Sequence, residues 1–98
     1  MNTDVQTEVI ELSSTITDDK TKTSYERVEL REPLLLQVEQ FYAVSKKDGG
    51  LAGMRTLVAL VGNIPEQVVK NMAYGDFKKC QGYLLTFLDD TPSTSGGN

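Results

Sequence analysis

The alternation of apolar and polar residues between positions 8 and 32 is the first regular pattern in the chain. Ile10, Leu12 and Ile16 fall on one face of an extended segment, and polar residues occupy the other face. After a polar stretch at 17–22 the alternation resumes, with Val28 and Leu30 on one side and Tyr25, Arg27, Glu29 and Arg31 on the other. Two half-buried strands joined by a polar turn predict a β-hairpin over 8–32.

Beyond Glu32 the spacing of apolar residues becomes helical. Pro33 has a fixed φ and no amide proton, which suits the first turn of a helix. The pattern predicts four short helices at about 33–47, 51–61, 64–73 and 77–88. A lone hairpin is marginal in water, so we expect it to pack on these helices. The predicted fold class is α+β, with an N-terminal β-hairpin followed by a small bundle of short α-helices.

Helical spacing also predicts which side of each helix faces the core. The expected inward residues are Leu34, Leu35, Val38, Phe41 and Tyr42 in the first helix; Leu51, Met54, Leu57, Val58 and Val61 in the second; Val68, Val69 and Met72 in the third; and Phe77, Cys80, Leu84, Phe87 and Leu88 in the fourth. The second helix is apolar on nearly every side, so we expect it to be the central one. Leu36 and Leu60 lie off these inward stripes.

Polar residues predict how the later helices begin. Asn63 is placed to cap the third helix, in which Glu66 and Lys70 are spaced to form an exposed ion pair. Tyr74 and Gly75 indicate a stop and a turn, after which Asp76 is expected to cap the fourth helix.

Composition divides the chain into three parts. Residues 1–7 hold few apolar groups and are predicted to be a flexible arm. Residues 8–90 are predicted to form a single α+β domain, with the hairpin at 8–32 and the helices at 33–90. Residues 91–98 are rich in serine, glycine and threonine, which predicts a disordered tail. Because no segment has the roughly 20 apolar residues of a membrane span, we expect a cytoplasmic protein without membrane contact.

The net charge of −4 arises in the N-terminal third of the chain. Residues 1–32 hold eight acidic and four basic side chains, whereas residues 33–98 hold six of each. Nucleic-acid affinity depends mainly on neutralising phosphates with positive charge. The charge distribution therefore disfavours a nucleic-acid partner.

The chain lacks the usual residues of catalytic and metal sites. It contains no histidine, and its single cysteine, Cys80, cannot form an internal disulfide or a zinc site. Cys80 falls on an inward stripe, where a small core residue is expected. No glycine-rich stretch has the spacing of a phosphate-binding loop. We therefore predict no enzyme activity and no cofactor, and a function in binding.

The order of these parts resembles a known family, the small tail assembly chaperones of long-tailed bacteriophages, particularly the group that occurs in the contractile-tailed phages P2 and Mu. The resemblance rests on a junction between hairpin and helices and on the start of the last helix. These motifs are Leu30, Arg31, Glu32 and Pro33 at the junction, and Asp76 and Phe77 at the last helix. The likeness covers about residues 8–90.

The resemblance implies a non-enzymatic role in tail assembly. Such chaperones coat the apolar, helix-rich tape measure protein and keep it soluble until tail tube subunits polymerise around it. It also implies a protein of the host cytoplasm that is absent from the finished virion, with a longer form made by ribosomal frameshifting in many members. We place the hypothetical partner surface on the first two helices, at Leu36, Ala43, Met54 and Leu60.

Three alternatives remain open at this point. The apolar surface residues could bury one another or pair across a homo-oligomer. The chain could be an adaptor or completion protein of the virion tail, which would share the small α+β outline. It could also be a helix-turn-helix regulator that presents Lys78, Lys79 and Gln81, although the net charge argues against DNA binding.

Overall fold

The computed structural model describes residues 6–88. Strands β1 (Glu8–Asp18) and β2 (Thr23–Leu30) are followed by helices α1 (Leu35–Asp48), α2 (Gly50–Gly62), α3 (Glu66–Lys70) and α4 (Tyr74–Leu88). The predicted α+β fold, a hairpin followed by four helices, is confirmed. Most of the predicted arm at 1–7 and the whole predicted tail at 91–98 lie outside the described residues. No helix within 6–88 has both the length and the hydropathy needed to cross a membrane.

The hairpin is antiparallel but irregular near its middle. Glu11 pairs with Arg27 and Ile16 pairs with Tyr25, so residues 12–15 of β1 face a single residue of β2. This bulge breaks the simple alternation in both strands. Tyr25 lies opposite the buried Ile16 and packs on the core, so its predicted outward position was wrong.

Helix α2 lies at the centre of the molecule, as its apolar composition predicted. It contacts β2 and the three other helices. Four residues of its predicted inward stripe are buried, namely Met54, Leu57, Val58 and Val61. Leu51, at the first turn, is 62% exposed, so its predicted place in the core was wrong. Because α2 is covered from several directions, its small residues Ala52 and Gly53 are buried as well.

Helix α1 differs most from its prediction. It begins two residues later than Pro33, and none of its residues is buried. Within the described chain its extensive contacts are with α2 alone, since the hairpin and α4 pack elsewhere on α2. The predicted inward positions of Leu34, Leu35 and Tyr42 were therefore wrong, and these side chains are 66%, 75% and 56% exposed.

A close approach between backbones joins α1 to α2. A Cβ atom at Gly53 would clash with the Ser45 hydroxyl and would lie 2.9 Å from the Phe41 carbonyl oxygen. Only glycine fits this contact without a shift of α1. The turn between the helices is made by Gly49, whose φ of 103° is unfavourable for any residue with a side chain.

Between α2 and α4, the helices end and begin at different residues from those predicted. Asn63 adopts a left-handed conformation (φ 55°) that ends α2, and α3 begins only at Glu66, so the predicted cap of α3 by Asn63 was wrong. Glu66 bonds to Arg55 of α2 at 2.7 Å, and not to Lys70 as predicted. The buried positions of the third helix are confirmed at Val68, Val69 and Met72.

Helix α4 packs on β1 and α2 through one face. Phe77, Cys80 and Leu84 are buried as predicted. Phe87 is 40% exposed, so its predicted burial was wrong, whereas the next residue, Leu88, is half-buried and packs against the core.

Candidate functional site

Asp76 connects the two halves of the fold. It lies in the first turn of α4, which begins at Tyr74, so its predicted role as N-cap was wrong. Its carboxylate accepts hydrogen bonds from the backbone N–H and the hydroxyl of Ser13, both at 2.9 Å. The Ser13 N–H lowers the pKa of Asp76 most; the Ser13 hydroxyl and the charge of Lys79 lower it further, against an opposing effect of burial. Asp76 is thus a structural carboxylate that fixes the bulge of β1 on α4.

The other motif residues divide between core and surface. Leu30 is fully buried and Phe77 is 6% exposed, and both belong to the same core cluster. Arg31 and Glu32 are exposed, and Pro33 is half-buried where the chain passes from β2 to α1. The buried motif residues therefore belong to the core in which the hairpin and α4 pack against the central helix.

Cys80 does not offer reactive chemistry in the folded protein. Its side chain is fully buried. Burial, and secondarily the negative charge of Asp76, raise the pKa of the thiol to about 11. Among residues 6–88, no three side chains of the metal-binding types come together as a metal site would require.

Exposed apolar side chains are concentrated on the helices. Of the four predicted partner-binding residues, Leu36 is 66% exposed, Leu60 is 41% exposed and Ala43 is exposed as well. Met54 is only 2% exposed and packs in the core, so it offers no accessible surface in this conformation.

Two of the predicted surface residues lie at the same end of the α1–α2 pair. The side-chain nitrogen of Gln37 donates a hydrogen bond to the Leu60 carbonyl oxygen at 3.3 Å, which brings Leu60 beside the first turn of α1. Leu36 is the neighbour of Gln37 in that turn. Ala43 is seven residues beyond Leu36 and therefore lies on the same face of α1. The structure thus brings Leu36 and Leu60 to one end of the pair and leaves Ala43 two turns away.

Comparison with known families found a match over nearly all of the described chain. A family model described as "Phage tail assembly chaperone proteins, E, or 41 or 14" matches residues 9–89. The chain belongs to this family of phage tail assembly chaperones. The family is not a family of enzymes. Comparisons with curated proteins and with solved structures gave no match.

The chaperone exposes more apolar surface than its sequence predicted. Large exposed side chains that helical spacing assigned to the core are Leu34, Leu35, Tyr42, Leu51 and Phe87. Helical periodicity identifies an apolar stripe but does not reveal whether another element covers it. The run Leu34, Leu35, Leu36 was the available signal, because consecutive leucines cannot all face one side of a helix.

A groove between α1 and α4 was also missed. It is lined by Phe41, Tyr42, Gly82, Leu85, Thr86 and Leu88, and it has a volume of about 560 Å³. The groove depends on α1 and α4 each packing on α2 without filling the space between them. Local sequence patterns do not report such a tertiary arrangement.

Proposed function

We propose that this chaperone binds the tape measure protein of its phage and keeps it soluble until tail tube subunits polymerise around it. In this proposal the chaperone acts in the host cytoplasm and is not retained in the mature virion. The observation that supports it most directly is the run Leu34, Leu35 and Leu36 at the start of α1, in which all three side chains are exposed to solvent.

A chaperone for an apolar helical protein needs accessible apolar surface. Helix α1 supplies it, because its extensive contacts in the described chain are with α2 alone. Leucine side chains on a helix suit contact with another amphipathic helix through apolar anchors. Contiguous exposed apolar patches on soluble proteins often mark interaction surfaces.

The charge of the chain offsets the risk of self-aggregation. The net charge of −4 repels other copies at moderate salt. The exposed acidic residues Glu26 and Glu29 lie on the hairpin, and the exposed Glu32 lies on the junction that leads to α1. The molecule can therefore present apolar surface on one element and a solubilising acidic surface on another.

We place the client surface at Leu36, Ala43 and Leu60, where the client is the tape measure protein. Met54 is left out because it is buried. Leu36 and Leu60 lie at one end of the α1–α2 pair, beside the hydrogen bond from Gln37. A client helix that lies along α1 would contact Leu36 and Ala43 on the same face.

Co-expression with the tape measure protein of the same genome tests the proposal. The wild-type chaperone should hold the client in the soluble fraction and elute with it in size-exclusion chromatography. The double variant Leu36→Asp, Leu60→Asp should remain folded but lose the client. Leu51→Asp is the matched control, because Leu51 is also exposed but lies at the other end of α2. Retention of the client by the double variant would place the surface elsewhere.

Two further assays separate the competing functions. Detection of the chain in purified phage particles would favour a virion adaptor. A salt-dependent shift of random duplex DNA would favour a regulator. The geometry favours the regulator less, because α3 spans only Glu66–Lys70 and the first turn of α4 is held against β1 by Asp76.

A further inference from the structure

Gly82 lies on the exposed side of α4 between two different surface depressions. On one side is the α1–α4 groove, whose lining from Phe41, Tyr42, Leu85, Thr86 and Leu88 carries no charge. On the other side, Gly82 borders a second depression formed with β1 and Lys79. A ligand that passes over Gly82 would therefore contact both surfaces.

No feature of the described chain explains a glycine at position 82. Gly82 lies inside α4, where glycine lowers helix stability relative to alanine. A Cβ atom at Gly82 would meet nothing within 4 Å, and its φ is not in the positive region. Neither internal packing nor backbone conformation requires it. A missing side chain on an exposed helix allows the close approach of another backbone.

The second depression carries a charge that indicates what the partner presents. It is lined by Glu8 and Glu11 of β1 together with Lys79, so its two carboxylates outnumber its one ammonium group. Among the described residues, no basic side chain lies within 4.0 Å of either glutamate carboxylate. Two exposed and unpaired carboxylates beside an apolar groove complement basic residues that flank an apolar stripe.

We propose that Gly82 is the crossing point for an amphipathic helix of the client. The apolar side chains of this helix enter the α1–α4 groove, its backbone approaches α4 at Gly82, and its basic residues face Glu8 and Glu11. The proposal rests on the proposed function for its occupant, and it adds the position and the charge pattern of the bound segment. This site uses a different side of α1, because Tyr42 lies roughly 120° around the helix from Leu36.

Leucine substitutions at two glycines of α4 test the crossing point. Gly82→Leu should fold normally, since the site is open, but should lower the affinity of the purified chaperone for the tape measure protein by about tenfold or more. Gly75→Leu is the matched control: Gly75 is also on α4, a Cβ atom there meets nothing within 4 Å, and it does not line the groove. Gly82→Ala should raise the melting temperature of the free chaperone and still weaken client binding.

The charge pattern has its own test in the same assay. The double variant Glu8→Gln, Glu11→Gln should weaken client binding and reduce its dependence on salt. The control Glu26→Gln, Glu39→Gln removes the same charge from exposed positions that do not line the site.

The outcomes separate this inference from the proposed function. If the wild type and Gly82→Leu bind the client equally, or if Gly75→Leu weakens binding as much, the crossing point is wrong while the chaperone function stands. If the wild type does not bind the client at all, the proposed function fails and this occupant fails with it. Loss of self-association in Gly82→Leu, measured by light scattering, would assign the groove to a second copy and would overturn the inference.

Discussion

Ser13 and Asp76, 63 positions apart in the sequence, are joined by two hydrogen bonds to the same carboxylate oxygen. Asp76→Ala removes the acceptor of both bonds and leaves the Ser13 N–H without its partner. Because bonds to a charged acceptor are the stronger ones, we expect the free energy of unfolding to fall by about 1–3 kcal/mol. Urea unfolding monitored by circular dichroism measures this loss of unfolding free energy.

The matched variant Ser13→Ala removes only the hydroxyl donor and keeps the backbone bond. It should cost about 0.5–1.5 kcal/mol, less than Asp76→Ala. An equal cost for the two variants would mean that the backbone bond contributes nothing.

The same carboxylate makes stability depend on pH. The folded protein lowers the pKa of Asp76, so its contribution is fully present above the ordinary aspartate pKa of about 4. This contribution is lost as the pH falls through the lower pKa of the folded state. The difference in unfolding free energy between the wild type and Asp76→Asn should therefore shrink below about pH 4. A difference that stays constant from pH 7 to pH 2 would contradict this assignment.

The approach of α1 to α2 at Gly53 makes this glycine sensitive to substitution. Gly53→Ala places a Cβ atom against Ser45 and the Phe41 carbonyl, so α1 must shift. We expect a loss of about 1–3 kcal/mol in unfolding free energy, as for other overpacked sites. Gly50→Ala, at the open start of the same helix, should instead be neutral or slightly stabilising. Thermal melts of the two variants compare them directly, and equal melting temperatures would argue against the contact.

The burial of Cys80 predicts how its thiol reacts. With a pKa of about 11, roughly one thiol in a thousand is ionised at pH 8, and the side chain has no access to solvent. Ellman's reagent should therefore label the native protein slowly and the protein in concentrated urea at once. Rapid labelling without denaturant would show that α4 opens readily.

The ion pair between Arg55 and Glu66 should contribute little. Its bond is 2.7 Å long, but both side chains are partly exposed. We expect Glu66→Gln to lower the unfolding free energy by no more than about 1 kcal/mol, with a smaller effect at high salt. Lys70→Ala should have no effect, because Lys70 is not the partner of Glu66. Denaturant unfolding at low and at high salt tests both variants.

The sequence predicted the buried residues correctly in helices whose apolar side is covered by other elements. The stripes of α2 and α3 were predicted nearly completely, because these helices are covered on the sides that their apolar residues occupy. Leu51 is the exception: it is exposed in the first turn of α2, although its neighbours Ala52 and Gly53 are buried. The resemblance to the chaperone family, which rested on the junction and on Asp76 and Phe77, is confirmed by the family match.

The failures of prediction concern tertiary packing. The stripe of α1 was correctly seen as apolar, but its exposure depends on where the hairpin and α4 pack on α2. The outward position of Tyr25 failed because the bulge in β1 changes which residues share a face. The role of Asp76 was missed because its partner, Ser13, is at the other end of the chain. The groove beside Gly82 was missed for a similar reason, because it forms only when α1 and α4 both pack on α2.

The bonds between Ser13 and Asp76 also bear on the order of events during synthesis. The hairpin is translated before the helices on which it packs, yet a lone hairpin is marginal in water. Its apolar face packs on helices that are translated later, and its bulge is fixed by a residue of the last helix. We expect the hairpin to become stable only after these helices are made, so that a nascent chain truncated before α4 would lack an ordered hairpin.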